Sequence, residues 1–224
     1  MLLAQVRSAL EAVAEPARAP TMQAYMKSVM PYHGVTASNV KLAMKALFAS
    51  YPFRDAESWR ADVLALWRGA TFREERYAAM ALAKHRGADA FQTLGTLPMY
   101  EEMITSGAWW DYVDELAAHQ VGGLLAAFPK AMKKTMLAWS TSRDMWKART
   151  SILSQLTYKG DTDLELLYAC IAPSIASKEF FLRKAIGWAL RQYARQDMAE
   201  VRRYVMAHAA ELSGLSKREA LKHA

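Results

Sequence analysis

Two adjacent tryptophans lead into two carboxylates near the middle of the chain, in the segment Ala108-Trp109-Trp110-Asp111-Tyr112-Val113-Asp114. On a helix, Trp110 and Asp114 would be four residues apart, so their side chains would lie on one face. An indole face attracts cations and a carboxylate neutralises them, so this pair predicts a site for a positively charged group. Spacing alone favours a simpler interpretation, a core tryptophan beside a surface aspartate. The rest of the chain has to decide between the two.

Two further segments combine tryptophan with basic side chains at helical spacing. Trp146 and Arg149 are three residues apart in DMWKART, and Trp188 stands between Lys184 and Arg191 in LRKAIGWALRQY. Each set would share one flank of a helix. For Arg149 the purely structural alternative is a partner within the protein, either a carboxylate or a helix C-terminus.

The basic residues are concentrated in the second half of the chain. Residues 1–119 carry 12 Lys/Arg against 13 Asp/Glu, a net charge of −1, whereas residues 120–224 carry 17 against 9, a net charge of +8. This asymmetry predicts an anionic partner, with nucleic acid as the first choice and a membrane surface as the second. A basic face that is merely solvated is the alternative.

Several kinds of chemistry have no support in the sequence. Glycine-rich nucleotide motifs, HExxH and CxxC are absent, and the five histidines lack ligand spacing, so we expect neither metal nor cofactor. Cys170 lies in an apolar run, which fits a buried thiol in a reducing compartment. No apolar run approaches the roughly 18 residues of a membrane span, and no signal-peptide core is present. We therefore expect a cytoplasmic protein with a single domain, residues 1–224.

Almost every segment has helical periodicity, and no strand alternation or hairpin turn is found. Asp55 and Asp197 can cap helices. The helix after Asp55 has as its predicted inward face Trp59, Val63, Leu66 and Trp67. Capping-box spacing occurs at Thr71–Glu74, Thr162–Glu165 and Ser216–Glu219. The result is an all-α fold of roughly a dozen helices. Their pairing at about 35–45 residues slightly favours a HEAT-type stack over a compact bundle.

Gly187 lies inside one of these predicted helices. Glycine there costs about 1 kcal/mol relative to alanine. Its presence suggests that another group approaches the backbone closely at this position.

Longer blocks resemble a known family. WWDYVD, DMWKART, KGDTDLELL and above all KEFFLRKAIGWALRQYA followed by LSGLSKREALKH are similar to the AlkD-type DNA alkylation repair family. AYMKSVMPYHGV and FREERYAAMALA resemble its N-terminal signatures, and the similarity runs from about Met22 to His223. After the MPYHGV turn the family often has a proline and a pair of arginines, where this chain has TASNVK. That departure predicts weaker phosphate contacts from this helix.

The resemblance implies a HEAT-like or ARM-type α-solenoid, a curved stack of antiparallel helix pairs with a basic concave face. It also implies a monomeric DNA glycosylase of base excision repair, needing no cofactor or metal. Such an enzyme removes cationic alkylated purines, chiefly 3-methyladenine and 7-methylguanine, from double-stranded DNA. Bound to its substrate, it would be associated with the nucleoid.

The family motifs also imply the roles of particular residues. Asp114 matches the catalytic carboxylate, Trp110 and Trp188 match aromatics beside it, and Arg149 matches an arginine that holds the DNA backbone near the lesion. Tyr25 matches a tyrosine that helps line the same cleft. The side chains expected to contact DNA are Tyr25, Lys147, Arg149, Arg183, Lys184, Arg191, Lys217 and Arg218. Within WWDYVD we expect Trp109 in the core and Asp111 at the helix start.

Two other functions compete with the glycosylase. A helical-repeat protein could bind DNA without catalysis, but the set Trp110, Asp114, Arg149 and Trp188 favours the enzyme. A HEAT-type protein-interaction scaffold is the second alternative. It predicts acidic or apolar patches rather than a strongly basic half, and it gives no reason for a carboxylate flanked by tryptophans.

Overall fold

The fold is known from a computed structural model that describes residues 2–222, so Met1, His223 and Ala224, which the sequence prediction assigned to the single domain, lie outside it. Within the described residues the regular structure is entirely helical, which confirms the all-α prediction. The chain forms two compact units, Met1–Met99 and Tyr100–Ala224.

The described residues of the first unit form five complete α-helices. They are α1 (Leu2–Glu11), α2 (Ala19–Met26), α3 (Ala37–Phe48), α4 (Ala56–Gly69) and α5 (Arg73–Ala83). Asp55 caps α4 as predicted, because its side chain accepts a hydrogen bond from the Ser58 amide at 2.8 Å. The four residues predicted for the inward face of α4 are all buried. Helix α4 packs against α5 and α1.

The start of α5 differs from the capping box predicted at Thr71 and Glu74. Glu75 takes the capping role, accepting hydrogen bonds from the Thr71 amide at 2.7 Å and the Phe72 amide at 3.4 Å. Glu74 is fully buried and accepts hydrogen bonds from the backbone amides of His33–Val35, in the loop between α2 and α3. Because these distant loop amides bind Glu74, the adjacent Glu75 is the glutamate that caps the helix.

The next helix, α6 (Leu97–Gly107), spans the boundary in the chain between the two units. Eight further α-helices follow among the described residues of the second unit. They are α7 (Trp110–Glu115), α8 (Gly122–Ala127), α9 (Pro129–Ser140), α10 (Met145–Leu153), α11 (Leu164–Ile171), α12 (Phe180–Ala194), α13 (Met198–Ala207) and α14 (Gly214–Ala220). The five helices from α10 through α14 contribute residues to one buried apolar cluster.

Two helices of the second unit begin at residues other than those that capping-box spacing predicted. Asp163 rather than Thr162 caps α11, accepting a hydrogen bond from the Leu166 amide at 3.0 Å. Ser213 caps α14 through the Ser216 amide, so this helix begins before the predicted cap. The cap predicted at Asp197 is confirmed by its hydrogen bond from the Glu200 amide.

Gly187 makes the close approach that its sequence position suggested. A Cβ atom at Gly187 would lie 2.4 Å from the Cβ of Glu219 and 2.8 Å from the carbonyl oxygen of Ser216, both on α14. Helix α14 therefore packs directly on the backbone of α12, at a distance that a side chain would prevent.

Alanine at Gly187 is expected to lower the free energy of unfolding by about 1–3 kcal/mol, because overpacking outweighs alanine's better helix propensity. Urea denaturation measures the change. Gly123→Ala is the matched control, since Gly123 also lies in a helix and, outside its chain neighbours and its own helix backbone, no described atom lies within 4 Å of an added Cβ. Equal stability of the two variants would show that α14 does not press on α12.

Candidate functional site

The segment WWDYVD begins a helix that continues beyond this segment. Helix α7 passes into a π-helical segment, Leu116–Val121, and then into α8. Such π-helical insertions are rare and often accompany functional sites. The preceding turn is also unusual, because Gly107 is the last residue of α6 and Ala108 has the left-handed φ of 43°. A non-glycine residue in this region costs about 1–2 kcal/mol.

Asp114 forms a bidentate ion pair with Arg149. Its Oδ1 and Oδ2 accept hydrogen bonds from Arg149 Nε at 2.7 Å and Nη2 at 2.8 Å. The pair is largely buried, with side-chain exposures of 13% for Asp114 and 4% for Arg149. Burial raises the pKa of Asp114 above its ordinary value, and the guanidinium of Arg149 opposes that rise. Asp114 is therefore a desolvated carboxylate with a fixed counter-ion.

Three helices hold this ion pair. Asp114 comes from α7 and Arg149 from α10, and Arg149 Nη1 donates a hydrogen bond to the carbonyl oxygen of Phe181 in the first turn of α12. The start of α10 is secured by Asp144, whose Oδ1 accepts from the amides of Trp146 and Lys147. Arg149 is thus positioned by contacts on both sides, and most of its donors are used within the protein.

An aromatic cluster of Trp109, Trp146 and Phe181 borders the ion pair. The ring centroids are 6.3 Å apart for the two tryptophans, 5.5 Å for Trp109 and Phe181, and 5.0 Å for Trp146 and Phe181. The Arg149 guanidinium carbon lies 5.9 Å from the Phe181 ring centroid, within cation–π range. Trp109 therefore packs against other aromatic residues, but it is only partly buried and not in the core where it was predicted.

Trp110 and Trp188 are both partly exposed. Trp110 is the first residue of α7, so helical spacing places it on the same face as Asp114, one turn away. Trp188 is seven residues beyond Phe181 on α12, which puts it on the same face about 10 Å further along that helix. Asp111 lies in the first turn of α7, as expected for a helix-start carboxylate.

Several cations predicted to contact DNA are paired inside the protein. Lys147 Nζ lies 2.6 Å from Glu101 Oε1. Glu219 binds two others, Lys184 at 3.0 Å and Arg191 at 2.6 Å. Both lie on the side of α12 that faces α14, and Glu219 itself is the residue that approaches Gly187.

The other predicted DNA contacts differ in their surroundings. Arg183 is partly buried, and its Nε has no hydrogen-bond partner among the described residues. Arg218 is exposed, and Lys217 donates a hydrogen bond to the Ala209 carbonyl. Tyr25 belongs to the first unit, on α2, with 77% of its surface exposed. Their contacts with DNA remain predictions.

Sequence reasoning missed the roles of Phe181 and Glu219. Phe181 acts through its backbone carbonyl and ring, and Glu219 through two ion pairs to another helix. Both residues stand in blocks that were singled out, but a carbonyl acceptor has no side-chain signature. A glutamate 28 residues from its arginine likewise leaves no local pattern.

The described residues, 2–222, also bear on metal binding and membrane insertion. They contain no group of three or more His, Cys, Asp and Glu arranged to hold a metal ion. None of their helices is both long and apolar enough to cross a membrane.

Comparison with known proteins indicates the family to which this all-helical chain belongs. The profile of the family described as DNA alkylation repair enzyme matches residues 6–224. A solved structure titled "Predicted DNA alkylation repair enzyme from Enterococcus faecalis" is similar, with 27% identity, a TM-score of 0.84, and coverage of 94% of this chain and 96% of that one. No curated protein matches.

These similarities define the class first, an all-α DNA repair protein. More particularly, the chain belongs to the DNA alkylation repair enzyme family. The resemblance seen in the sequence motifs is thereby confirmed.

Proposed function

We propose that this protein is a DNA glycosylase that hydrolyses the N-glycosidic bond of cationic alkylated purines, such as 3-methyladenine and 7-methylguanine, in duplex DNA. The observation that carries the proposal is the largely buried Asp114–Arg149 pair, one helical turn from Trp110, in a chain of a DNA alkylation repair family. The reaction needs a fixed negative charge more than an acid, because an alkylated purine that is already cationic is a good leaving group.

Asp114 supplies that charge. As the glycosidic bond lengthens, positive charge develops on the deoxyribose, and a preorganised carboxylate stabilises it. Each carboxylate oxygen accepts one hydrogen bond from Arg149 and keeps a further lone pair for the sugar or for the attacking water. Low solvent exposure strengthens these interactions, because water screens them poorly there.

Arg149 takes a different part from the one that the family motif predicted. With Nε and Nη2 on Asp114 and Nη1 on Phe181, its primary role in this proposal is to orient the carboxylate and keep it ionised. Contact with the DNA backbone would use the remaining N–H groups. The flanking indoles contribute about 0.5–2 kcal/mol each through attraction of the sugar and base cations.

Base release from defined duplexes tests the proposal. We expect release of 7-methylguanine and 3-methyladenine under single-turnover conditions, and no release of a neutral lesion such as uracil in the same sequence. The neutral lesion lacks the positive charge that makes the base leave without an acid. If the purified protein released neither alkylated base above the spontaneous rate, the glycosylase proposal would be wrong.

The pH profile of release should show the environment of Asp114. The reaction requires the ionised carboxylate, so the rate falls as pH drops through its pKa. Burial raises that pKa, so the acid limb should lie at a higher pH than for an ordinary aspartate. Single-turnover rates, corrected for spontaneous depurination, measure it. A limb at or below the ordinary aspartate pKa would contradict the assignment.

A further inference from the structure

A concave site lies in the second unit, separate from the ion pair and the aromatic cluster described above. It is a cavity of about 450 Å³ between the end of α10, the short helical turn Lys159–Asp161 and the last turns of α12. Its lining includes apolar side chains, among them Leu156. Its rim carries two cations, Lys159 and Arg195, and two amides, Gln192 and Gln196. No acidic residue is among the described residues that line it.

The two cations differ from those that the motifs singled out. Lys184 and Arg191 are neutralised by Glu219, whereas Lys159 and Arg195 are exposed and form no ion pair with any described residue. Two positive charges at one cavity, without an internal counter-ion, repel each other unless an anion joins them. The cavity therefore has the charge of an anion site.

Lys159 is held in place by its turn. Its φ of 57° lies in the left-handed region, which costs a non-glycine residue about 1–2 kcal/mol. The preceding residue anchors the turn, because the Tyr158 hydroxyl donates a hydrogen bond of 2.7 Å to the Gly122 carbonyl on α8. The Lys159 side chain thus starts from a fixed backbone, which lowers the entropy lost when it binds an anion.

The position of the cavity on α12 links it to the proposed reaction site. Helical spacing puts Phe181, Trp188, Gln192 and Arg195 on one face, because the last three follow Phe181 by 7, 11 and 14 residues. Arg195 is seven residues beyond Trp188, about 10 Å along the helix. A DNA strand whose altered nucleotide lay beside Asp114 and Trp188 would carry its neighbouring phosphates along this face.

We infer that this cavity binds a backbone phosphate of the DNA strand near the lesion, through Lys159 and Arg195 with the amides of Gln192 and Gln196 as further donors. The inference rests on the proposed function for its choice of DNA, but it concerns binding rather than catalysis. Phosphate oxygens accept the charge-assisted hydrogen bonds that lysine, arginine and amide side chains donate.

The salt dependence of DNA binding gives the first test. The probe is a duplex with a tetrahydrofuran abasic analogue at the lesion position, which cannot be cleaved. The double variant Lys159→Gln/Arg195→Gln should bind it on the order of tenfold more weakly at low salt. The slope of log K against log salt should become shallower by about 1. Restored binding in Lys159→Arg/Arg195→Lys would show that the charges matter.

A charge-matched control separates this site from a general loss of positive charge. Lys130→Gln/Arg202→Gln removes two other exposed cations of the second unit that form no ion pair with a described residue. If the control weakens binding as much as Lys159→Gln/Arg195→Gln does, the cavity is not a phosphate site. Circular dichroism and thermal melting confirm that each variant is folded.

Uncharged backbone linkages show which phosphate of the DNA contacts the cavity. Methylphosphonates are placed one at a time within five nucleotides on either side of the abasic analogue. At one position the neutral linkage should weaken binding of the unaltered protein on the order of tenfold, and should have little effect on Lys159→Gln/Arg195→Gln. If every position affects both proteins equally, the inference is wrong.

Two further outcomes separate the possible failures. Suppose that one methylphosphonate weakens duplex binding by the unaltered protein but not by the double variant, and that no alkylated base is released. The glycosylase proposal then fails and the phosphate site stands. If AMP binds at micromolar concentration in calorimetry, and the double variant loses that binding without any change in duplex affinity, the cavity is a nucleotide site. That result would overturn the inference.

Discussion

Asparagine in place of Asp114 is expected to reduce the single-turnover rate of 7-methylguanine release by about 10²–10³-fold, with duplex binding changed by less than about threefold. Removing one preorganised electrostatic group costs about this much in other enzymes. The asparagine side chain keeps the shape and one oxygen acceptor for Arg149, but it loses the negative charge that opposes the developing sugar cation. The rate should fall because the transition state loses stabilisation, not because substrate fails to bind.

Asp111→Asn is the control for this substitution. Asp111 lies on the same short helix, in its first turn, and its negative charge raises the pKa of Asp114. Its removal should leave release within about threefold of the unaltered protein, because the charge it removes is not the one paired with Arg149. Release from Asp114→Asn at the rate of Asp111→Asn would show that the carboxylate is not catalytic.

Sequence periodicity alone predicts most helices of this fold, because periodicity is a local property of the chain. The inward face of α4 is one case, since a 3.6-residue repeat places Trp59, Val63 and Leu66 on one side whatever they pack against. Caps were less predictable. Glu75 rather than Glu74 caps α5, because Glu74 accepts hydrogen bonds from the amides of a loop some 40 residues away.

The geometry of the site was likewise predictable only in part. Trp110 and Asp114 are four residues apart, so helical geometry alone places them together. The partner of Asp114 is 35 residues away, and the sequence offered a carboxylate only as the structural alternative for Arg149. That pairing depends on the packing of α7 against α10, which no local pattern encodes. The resemblance to a family supplied both residues, but not the contact between them.

Methionine in place of Arg149 should lower the free energy of unfolding by about 3–5 kcal/mol, the second large effect that we expect. It fills similar space but leaves the Asp114 carboxylate buried without its counter-ion, and breaking a buried pair from one side costs about this much. The acid limb of the pH profile should also move to still higher pH, since the opposing charge is gone. Urea denaturation and single-turnover rates measure the two effects.

A double-mutant cycle separates loss of the ion pair from loss of packing. Asp114→Asn/Arg149→Met removes both charges, so it should be less destabilised than the sum of the two single variants, with a coupling of about 1–3 kcal/mol. Additive losses would mean that the two side chains do not interact in solution. A large coupling, together with release that is slowed in all three variants, would show that Arg149 stabilises the fold by the same contact that holds the catalytic carboxylate in place. The ion pair with Arg149 on α10 would then offset the desolvation cost of burying the Asp114 carboxylate.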